Sequence, residues 1–447
     1  MAHRAHLVLV HGEPRDAVVE FGARGATIGR RAEGSQVEVG VADSLVSRQH
    51  VRVEPHGAGW RLQDLGSRNG GFVDGAPFKP GASVALAPGA VIRVGDTLFV
   101  FRPEARALDQ AETCEAFPGI SNAAAAVRRR LCALAGATGH VLVVGETGTG
   151  KERVARWLGR PALQRPFVPH NCAELSKELG RSELFGYARG AFSGATKAKR
   201  GLIDAAHDGV LFLDEFGELP WEVQGELLRF LEDGSYRPVG ATELRTSPAR
   251  VVAATNVVLD DAVRAGHFRR DLLARLRAVN LPLELPPLRE RREDILLWAK
   301  FFLTEALAAP HPPEPWQAGL AECLLLHAWP ENLRELRGVI RSLVEAREPW
   351  PWASNCLPDR VLERRQTARA SAPGPTPSAA GDGRDTPAVP VVPAESVEPT
   401  RDEVVRALTE TRGCMVRTSS LLGVDRRKLY RLCKKHEVNV NQFRSGE

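Results

Sequence analysis

The most constraining feature of the sequence is an apolar run that leads directly into a glycine-rich loop, HVLVVGETGTGKE, at residues 140–152. Glycines let backbone N–H groups converge on phosphate oxygens, the N-terminus of a following helix favours negative charge, and a lysine reaches the outer phosphates. The residues expected to bind a nucleotide here are Gly145, Glu146, Thr147, Gly148, Thr149, Gly150, Lys151 and Glu152. Such a loop needs a buried strand before it and a helix after it, so the stretch predicts a parallel α/β domain.

Acidic residues farther along the chain can supply what this loop lacks. The loop motif ordinarily continues with Ser or Thr, whose hydroxyl ligates Mg²⁺, but here the position is Glu152. The apolar run GVLFLDE predicts a central strand ending in Asp214 and Glu215. We expect Asp214 to hold Mg²⁺, directly or through water, and Glu215 to orient and deprotonate the attacking water. The alternative is an ordinary acidic strand-to-loop transition. Asn256, which ends the run AATN, suits sensing of the γ-phosphate.

Changes in composition and in hydrophobic periodicity divide the 447 residues into several predicted domains. Short alternating segments predict an all-β sandwich at the start, strands alternating with helices predict a parallel α/β sheet, and amphipathic helices follow. A Pro/Ala/Ser/Gly-rich stretch cannot bury enough apolar surface to order itself. The expected parts are a sandwich (1–103), a connector (104–118), an α/β subdomain (119–282), a helical subdomain (283–352), a flexible linker (366–399) and a helical unit (400–447).

The composition also bears on location. With 26% charged residues and no apolar run near eighteen, the sequence argues against a membrane span. The apolar run LVLV near the start is far shorter than a signal-peptide core. The seven cysteines form no C-x-x-C pair and read as reduced thiols. We therefore expect a cytoplasmic protein without a membrane partner.

The positive charge is concentrated near the end of the sequence. Residues 412–436 contain eight Lys or Arg against one acid, Asp425, whereas the whole chain has a net charge of only +5. Such a segment suggests a polyanionic partner, most simply nucleic acid. A solvated basic face is the alternative.

The motifs between about 119 and 350 resemble, in identity and order, the AAA+ ATPases that activate sigma-54 RNA polymerase, the bacterial enhancer-binding proteins. The stretches that carry the resemblance include GETGTGKE, NCAEL, SELFGYARGAFSGA, GVLFLDE, AATN, FRRDLLARL, LPPLRERREDI and WPENLREL. The resemblance implies an α/β AAA+ ATPase subdomain with an α-helical lid, and ATP with Mg²⁺ as its ligands. It also implies sigma-54 RNA polymerase and enhancer-like double-stranded DNA as partners.

The same resemblance assigns further roles. Arg269 and Arg275 look like arginine fingers that reach a neighbour's nucleotide, and Arg334 looks like the second-sensor arginine of the lid. Asn171 looks like the partner that holds Glu215 away from water until the right nucleotide state. An arginine that acts on a neighbouring subunit requires a heterologous contact, and repeated rotation closes such contacts into a ring. The family forms hexamers, sometimes heptamers.

The family's GAFTGA loop, which rises from the ring and grips the sigma factor, corresponds to residues 190–195. They are Gly190, Ala191, Phe192, Ser193, Gly194 and Ala195, with Ser in place of the family's Thr. An exposed Phe192 supplies a compact apolar anchor, and the flanking glycines allow the tip to change conformation cheaply. Ser193 keeps the hydroxyl but loses the methyl group. The alternative is a turn whose Phe folds back into the core.

The N-terminal segments IGR, SLVSRQH and DLGSRNGGFVDG resemble forkhead-associated (FHA) domains, which bind phosphothreonine peptides. Arginines suit charge-assisted bonds to phosphate, and a serine adds a hydroxyl donor. The residues expected to bind the peptide are Arg30, Ser47, Arg48, Arg68 and Asn69, while His50 is expected to brace the loops. The phosphothreonine that this domain binds would belong to another protein or to this chain. A degenerate sandwich used only for packing is the alternative.

The C-terminal stretch VVRALTETRGCMVRTSSLLGVDRRKLYRLCKKHEV resembles the Fis-type helix-turn-helix, an all-α DNA-binding fold. Leu429 and Leu432 would pack inward, leaving a basic helix face suited to the major groove. The residues expected on or beside that face are Arg426, Arg427, Lys428, Tyr430, Arg431 and Lys434. A three-helix packing unit with an incidental basic face is the alternative.

Together these features predict a transcriptional activator that binds enhancer-like DNA and hydrolyses ATP to open the sigma-54 promoter complex. Phosphothreonine recognition would regulate it, since no phosphoacceptor receiver domain is evident in the sequence. Two other functions remain open. One is a DNA-binding regulator that has lost contact with sigma-54, and the other is an AAA+ remodelling ATPase of another kind.

Overall fold

The structure is a computed structural model of the 447-residue chain. It describes residues 4–13, 17–32, 36–104, 115–137, 139–159, 165–177, 179–307, 315–346, 350–362 and 399–410, with isolated residues up to 438. The chain divides into two compact units, Met1–Ala372 and Pro373–Glu447.

The first unit begins with a β-sandwich of two sheets. One sheet has the strand order β2-β1-β11-β10-β7-β8 and the other β4-β3-β5-β6-β9. Its described strands are β1 (Ala5–His11), β2 (Val18–Phe21), β3 (Ala26–Arg30), β4 (Val39–Val41), β5 (Val51–His56), β6 (Gly59–Asp64), β7 (Gly71–Val73), β8 (Ala76–Phe78), β9 (Ser83–Leu86), β10 (Val91–Val94) and β11 (Thr97–Arg102).

Strand β1 is buried along its whole length, which a two-layer sandwich alone does not explain. Leu7 and Leu9 point into the core between the two sheets. Val8 and Val10 point the other way and join a second hydrophobic cluster, formed mainly by helices of the following domain. Because side chains alternate along a strand, burial of both sets means that the sandwich has a third layer against its outer face.

The central domain is built on five parallel strands in the order β13-β14-β17-β12-β18. These are β12 (Val141–Val144), β13 (Phe167–Asn171), β14 (Val210–Asp214), β17 (Arg250–Thr255) and β18 (Leu283–Glu284), while β15 (Ser235–Tyr236) pairs separately with β16 (Arg245–Thr246). Its helices are α1 (Asn122–Ala135), α2 (Lys151–Leu158), α3 (Gly180–Phe185), α4 (Leu202–Ala205), α5 (Trp221–Asp233), α6 (Leu259–Arg264) and α7 (Arg270–Val279).

Helices cover both faces of this sheet. In β14, Leu211 and Leu213 pack with the residues of α5 and α7, whereas Val210 and Phe212 pack with those of α1 and α2. A strand buried on both faces is apolar at consecutive positions, which is why GVLFLD reads as a continuous run. The acidic residues follow at the point where the strand leaves the core.

A helical subdomain completes the first unit. It contains α8 (Ile295–Leu307), α9 (Ala318–Leu326) and α10 (Asn332–Glu345). Four buried tryptophans fill its core, Trp298, Trp316, Trp329 and Trp352.

Polar contacts also join the sandwich to this helical subdomain. Arg102, the last residue of β11, donates to both carboxylate oxygens of Glu293, at 2.5 and 2.8 Å. Arg93 on β10 lies 3.6 Å from the buried carboxylate of Glu322 on α9. Burial opposes the charge on Arg102, but the hydrogen bonds that Arg102 donates to Glu293 raise its pKa overall. Docking of the two domains was not predicted from the sequence.

The second unit contains helix α11 (Arg401–Glu410). The residues predicted to contact DNA (Arg426, Arg427, Lys428, Tyr430, Arg431 and Lys434) lie outside the described residues. Within the described part of the chain, no helix combines the length and the apolar character needed to cross a membrane.

His140, just before β12, makes the folded domain sensitive to acid. Burial, followed by the charges of Arg275 and Arg250, lowers its pKa from 6.5 to about 4. Its Nδ1 accepts a hydrogen bond from the Val251 amide at 3.0 Å, so the folded domain needs the neutral ring. The unfolded chain takes up this proton near pH 6.5, whereas the folded domain resists until about pH 4.

We therefore predict that His140 destabilises the fold progressively as the pH falls from 6.5 towards 4, by about 3 kcal/mol in total. Thermal unfolding of the full chain at pH 7 and pH 5 measures this loss. The variant His140→Gln should lose less stability than wild type over that range, whereas His207→Gln, at an exposed position, should follow wild type. Equal losses in all three proteins would contradict the prediction.

Candidate functional site

The glycine-rich loop joins β12 to α2 and has the backbone that its sequence requires. Gly148 and Gly150 have φ values of +76° and +105°. A Cβ on Gly148 would lie 2.0 Å from the carbonyl oxygen of Glu331, so only glycine lets the helical subdomain approach so closely. The Lys151 ammonium donates to the carbonyl of Gly145 at 2.9 Å. Burial lowers the pKa of Lys151, although the nearby carboxylates of Asp214 and Glu215 oppose that shift.

The predicted acidic pair lies beside this loop, at the carboxyl end of β14. Asp214 Oδ1 accepts a hydrogen bond from the Glu215 amide at 2.9 Å. Glu215 has φ +48° and ψ +46°, a left-handed conformation that is uncommon for a residue other than glycine. Such strain concentrates at sites where a side chain must be aimed in one direction. Here it turns the chain sharply at the end of the strand, and both carboxylates line one cleft with Lys151.

The donor set of this cleft suits Mg²⁺. Hard carboxylate oxygens are its preferred protein ligands, and Mg²⁺ is usually bound by one or two of them together with phosphate oxygens and water. Within the described ranges, no group of three or more His, Cys, Asp or Glu side chains could hold a metal ion. The Asp214 carboxylate thus suits a magnesium ion that takes its remaining ligands from a nucleotide and water.

The cleft has a volume of about 560 Å³, and the loop, the acidic pair and α10 contribute to its walls. Arg334 lines it from α10, as Lys151 does from α2. Asn256, which follows β17, donates to the Thr147 hydroxyl at 3.2 Å and so lies against the loop. The parallel sheet explains this meeting, because the carboxyl ends of adjacent strands lie along one edge.

Several cleft residues were not predicted. Arg153, Trp298, Phe302, Arg337 and Arg341 also line it. For the arginines a signal was present, since Arg334, Arg337 and Arg341 follow one another at helical spacing. No comparable pattern marks the aromatic residues Trp298 and Phe302, which come from α8.

Two predicted nucleotide-binding residues direct their side chains to other groups. The carboxylate of Glu146 accepts from both ends of the Arg289 guanidinium, at 2.7 and 2.5 Å, and from Asn332 at 3.2 Å. Hydrogen bonding to Arg289 lowers the pKa of Glu146. The carboxylate of Glu152 pairs with Arg156, one turn along α2, at 2.7 Å. Their side chains therefore brace the loop and its helix.

Asn171 ends β13 directly beside Asp214, its register partner on β14. Its side-chain oxygen accepts from the amide of Ala173 at 3.0 Å and caps the short turn Cys172–Glu174. Between the described residues Asn171 and Glu215 there is no hydrogen bond. The structure thus brings Asn171 to the edge of the site without the contact that the resemblance implies.

The predicted arginine fingers lie on α7 and at its start. Arg269 caps α7 and pairs with Asp271 at 2.8 Å. Arg275 donates to the carbonyls of Leu231 and Glu232 at the end of α5, both at 3.0 Å. Neither Arg269 nor Arg275 is among the described residues that line the cleft. Their guanidinium groups therefore do not serve the nucleotide site of their own chain.

The hexapeptide Gly190–Ala195 forms a tight surface turn. The Gly190 amide donates to the Ala195 carbonyl at 2.8 Å, and Ala195 N donates to Phe192 O at 3.0 Å. Gly190 and Gly194 have φ values of +81° and +103°, and a Cβ on either would meet open space. Phe192 is 46% exposed and packs against Tyr187 with ring centroids 5.0 Å apart. The ring thus lies on the surface rather than in the core.

The five residues predicted to bind a phosphopeptide come together at one end of the sandwich. The Arg30 amide donates to the Ser47 carbonyl at 2.9 Å, and the Arg68 amide donates to the Ser47 hydroxyl at 3.2 Å. Asn69 Nδ2 donates to the Leu45 carbonyl at 2.9 Å. Arg48, Arg68 and Asn69 are exposed, which leaves their polar groups accessible to a ligand.

His50 braces these loops from beneath and is fully buried. Its Nδ1 accepts from the Ser47 amide at 3.0 Å, so its Nε2 carries the proton and donates to the Gly70 carbonyl at 2.9 Å. The prediction that His50 supports the loops rather than the ligand agrees with these contacts. Behind it, Ser67 and Gly66 donate to the carboxylate of Asp64. These bonds and those from Gly81 outweigh the effect of burial and lower the pKa of Asp64.

Comparison with known families agrees with this geometry. Residues 118–282 match the family model described as the Sigma-54 interaction domain. Residues 26–95 match the FHA domain, and residues 289–373 match the AAA+ ATPase lid domain. The nucleotide cleft lies between the first and the last of these segments, and the loops around His50 lie within the second.

Relatives with assigned roles are regulators of transcription. The DNA-binding transcriptional regulator NtrC of Azospirillum brasilense is 34% identical over 359 residues, which cover 76% of this chain and 73% of that protein. The alginate biosynthesis transcriptional regulatory protein AlgB of Pseudomonas syringae pv. tomato is 36% identical, covering 67% of this chain and 62% of AlgB. The transcriptional regulatory protein GlrR of Escherichia coli K12 is 34% identical, covering 68% and 64%.

The match thus extends over less than two thirds of AlgB and of GlrR but over nearly three quarters of NtrC. Its central segment carries an ATP-binding AAA+ domain of the kind that interacts with sigma-54. The chain therefore belongs to the family of sigma-54-dependent transcriptional regulators and carries an FHA domain ahead of its sigma-54 interaction domain.

Proposed function

We propose that this protein is a cytoplasmic transcriptional activator that hydrolyses ATP to remodel sigma-54 RNA polymerase from the closed to the open complex. The observation that carries the proposal is the single cleft lined by Lys151, Asp214 and Glu215, together with Arg334 of α10. Nucleotide binding alone needs only the loop and its lysine. A strained, aimed glutamate beside them is what hydrolysis requires.

Binding of ATP begins at the glycine-rich loop, whose amides and the N-terminus of α2 attract the phosphates. Lys151, which donates to two carbonyls of its own loop, would exchange those bonds for phosphate oxygens. Asn256, held against Thr147, contributes an amide donor near the γ-phosphate. Arg334 adds a cation from the lid, so binding draws α10 towards the loop.

Hydrolysis requires an activated water and compensation of the developing negative charge. Asp214 would hold Mg²⁺ at the phosphates, and the ion would supply positive charge to the transferring phosphoryl group. Glu215 orients the attacking water and accepts its proton. Its left-handed backbone aims the carboxylate into the cleft rather than along the strand.

The arginine that completes the site comes from a neighbouring subunit. Arg269 and Arg275 do not line the cleft of their own chain, and a site that takes a cation from outside must lie at a subunit interface. Repetition of that heterologous contact closes a ring, for which we propose a hexamer. Arg275 would have to release the carbonyls of Leu231 and Glu232 to reach a neighbour.

The turn around Phe192 is the proposed contact with sigma-54. A half-exposed aromatic ring between two glycines in left-handed conformations provides an apolar anchor on a backbone that changes shape at low cost. The segment between Asn171, beside Asp214, and the turn contains α3. A change of nucleotide state at the strand ends therefore has a short covalent route to Phe192.

The two flanking domains supply regulation and targeting. We propose that the loops carrying Arg30, Ser47, Arg48, Arg68 and Asn69 bind a phosphothreonine peptide, from another protein or from this chain. For DNA binding the support is the basic C-terminal sequence, through Arg427, Arg431 and their neighbours. Phosphopeptide binding would then link a Ser/Thr kinase signal to promoter opening.

The central test is the variant Glu215→Gln, compared with Glu218→Gln three residues farther along, whose side chain is exposed outside the cleft. We expect Glu215→Gln to bind ATP but to hydrolyse it about 10²-fold more slowly or worse, because the general base is lost. Open-complex formation with sigma-54 polymerase should fail in the same variant, while Glu218→Gln supports both. The proposed mechanism is wrong if Glu215→Gln opens promoters as wild type does.

The phosphopeptide site has its own test. Arg30→Ala should weaken binding to a phosphothreonine peptide library by roughly tenfold or more, since a charge-assisted bond to phosphate is lost. ATP hydrolysis should not change. Arg61→Ala, which removes an arginine that pairs with Glu54 within the same domain, serves as the control. Undiminished peptide affinity in Arg30→Ala would count against the site.

A further inference from the structure

The seven residues Leu288–Asp294, here the bridging segment, lie between the nucleotide cleft and the FHA domain. They form two short turns, Leu288–Glu290 and Arg292–Asp294, immediately before α8. The first turn contacts both the glycine-rich loop and the FHA domain, and the second turn contacts the FHA domain.

On the side of the cleft, the bridging segment holds the glycine-rich loop by side-chain bonds. Arg289 binds both carboxylate oxygens of Glu146. The Leu288 amide donates to Asn332 Oδ1 at 2.7 Å, and Asn332 Nδ2 donates to the Thr147 carbonyl at 3.0 Å. Asn332 is fully buried, so these bonds have no water to replace them. The position of the loop therefore depends on where the bridging segment lies.

On the other side, the bridging segment is held by the FHA domain. Arg102 binds both carboxylate oxygens of Glu293 and donates to the Glu290 carbonyl at 2.7 Å. Arg292 donates to the Gly89 carbonyl at 2.9 Å and lies 3.1 Å from a carboxylate oxygen of Asp74. The side chain of Glu293 is only 1% exposed.

The contact between Arg102 and Glu293, whose side chains are 16% and 1% exposed, differs in kind from an exposed ion pair. A two-pronged bond between a guanidinium and a buried carboxylate fixes both distance and orientation. Loss of Arg102 would leave the Glu293 carboxylate buried without its principal partner, which is costly, so the bridging segment would shift to reach water. Arg289 lies four residues before Glu293. A shift of the turn Leu288–Glu290 would therefore disrupt the ion pair between Arg289 and Glu146.

We propose that Arg102, although it belongs to the FHA domain, is a positioning residue for the nucleotide site and acts through the bridging segment on the glycine-rich loop. The inference rests on the proposed function, because it assigns a further residue to ATP binding and hydrolysis. It makes the FHA domain a structural part of the ATPase, and it gives a phosphopeptide bound to that domain a physical route to the nucleotide.

The test is the full-length variant Arg102→Ala, measured by steady-state ATP hydrolysis and by binding of a fluorescent ADP analogue. We expect the KM for ATP and the Kd for the analogue to rise roughly threefold to thirtyfold, the range found when a coupling contact is removed. The kcat should change less, since Glu215 and Lys151 are untouched. The matched control is Arg61→Ala. Arg61 and its partner Glu54 both lie in the sheet that does not contain Arg102, away from the bridging segment.

Rescue separates positioning from mere loss of stability. The double variant Arg102→Glu with Glu293→Arg restores opposite charges at the same two sites, and it should recover nucleotide affinity that Arg102→Glu alone loses. If Arg102→Ala fails to fold, Arg102→Lys keeps the charge but loses the two-pronged geometry, and it should show the same shift in smaller degree.

The inference is overturned if Arg102→Ala binds nucleotide within twofold of Arg61→Ala, or if the charge exchange rescues nothing. The proposed function fails separately, if wild type binds the ADP analogue but hydrolyses no ATP. In that case the analogue alone still tests whether Arg102 positions the loop.

Discussion

The grip of the helical lid on the glycine-rich loop is the interaction on which the rest of this structure depends. Asn332 bonds to the loop at Thr147 and to the bridging segment at Leu288, while Arg289 holds Glu146. The loop is therefore not a free strand-to-helix turn but one wall of a cleft whose other wall is α10. In the mechanism that we propose, a ligand that moves the loop would therefore also move the lid.

The FHA domain extends this arrangement into a third layer. Strand β1 is buried on both faces because its outer side chains, Val8 and Val10, join the core of the lid. The buried ion pair of Arg102 and Glu293 fixes the orientation of the FHA domain relative to the lid, which an apolar contact alone does not do. The FHA domain is thus packed directly against the lid, whose helix α10 lines the nucleotide cleft.

Local sequence predicted those parts of the site whose chemistry is local. The loop, the Asp214 and Glu215 pair and Asn256 each follow an apolar strand, and a parallel sheet brings such strand ends together. Contacts between distant segments could not be predicted in this way. Arg289 lies 143 residues from Glu146, and the sequence around neither residue indicates that the two form an ion pair. The apolar run of β1 is also typical of an ordinary buried strand, so its sequence did not predict that the lid packs against its outer face. The role of Asn171 came from resemblance, and here its side chain caps a turn instead.

In the mechanism that we propose, the chemistry in the cleft moves the turn around Phe192. Hydrogen–deuterium exchange across Gly186–Lys199 in the full chain, with ADP and then with ADP plus aluminium fluoride as a transition-state mimic, measures this movement directly. Amide protection in this segment should differ between the two nucleotide states, and Glu215→Gln should alter the difference. Identical protection in both states, with nucleotide bound in each, would contradict it.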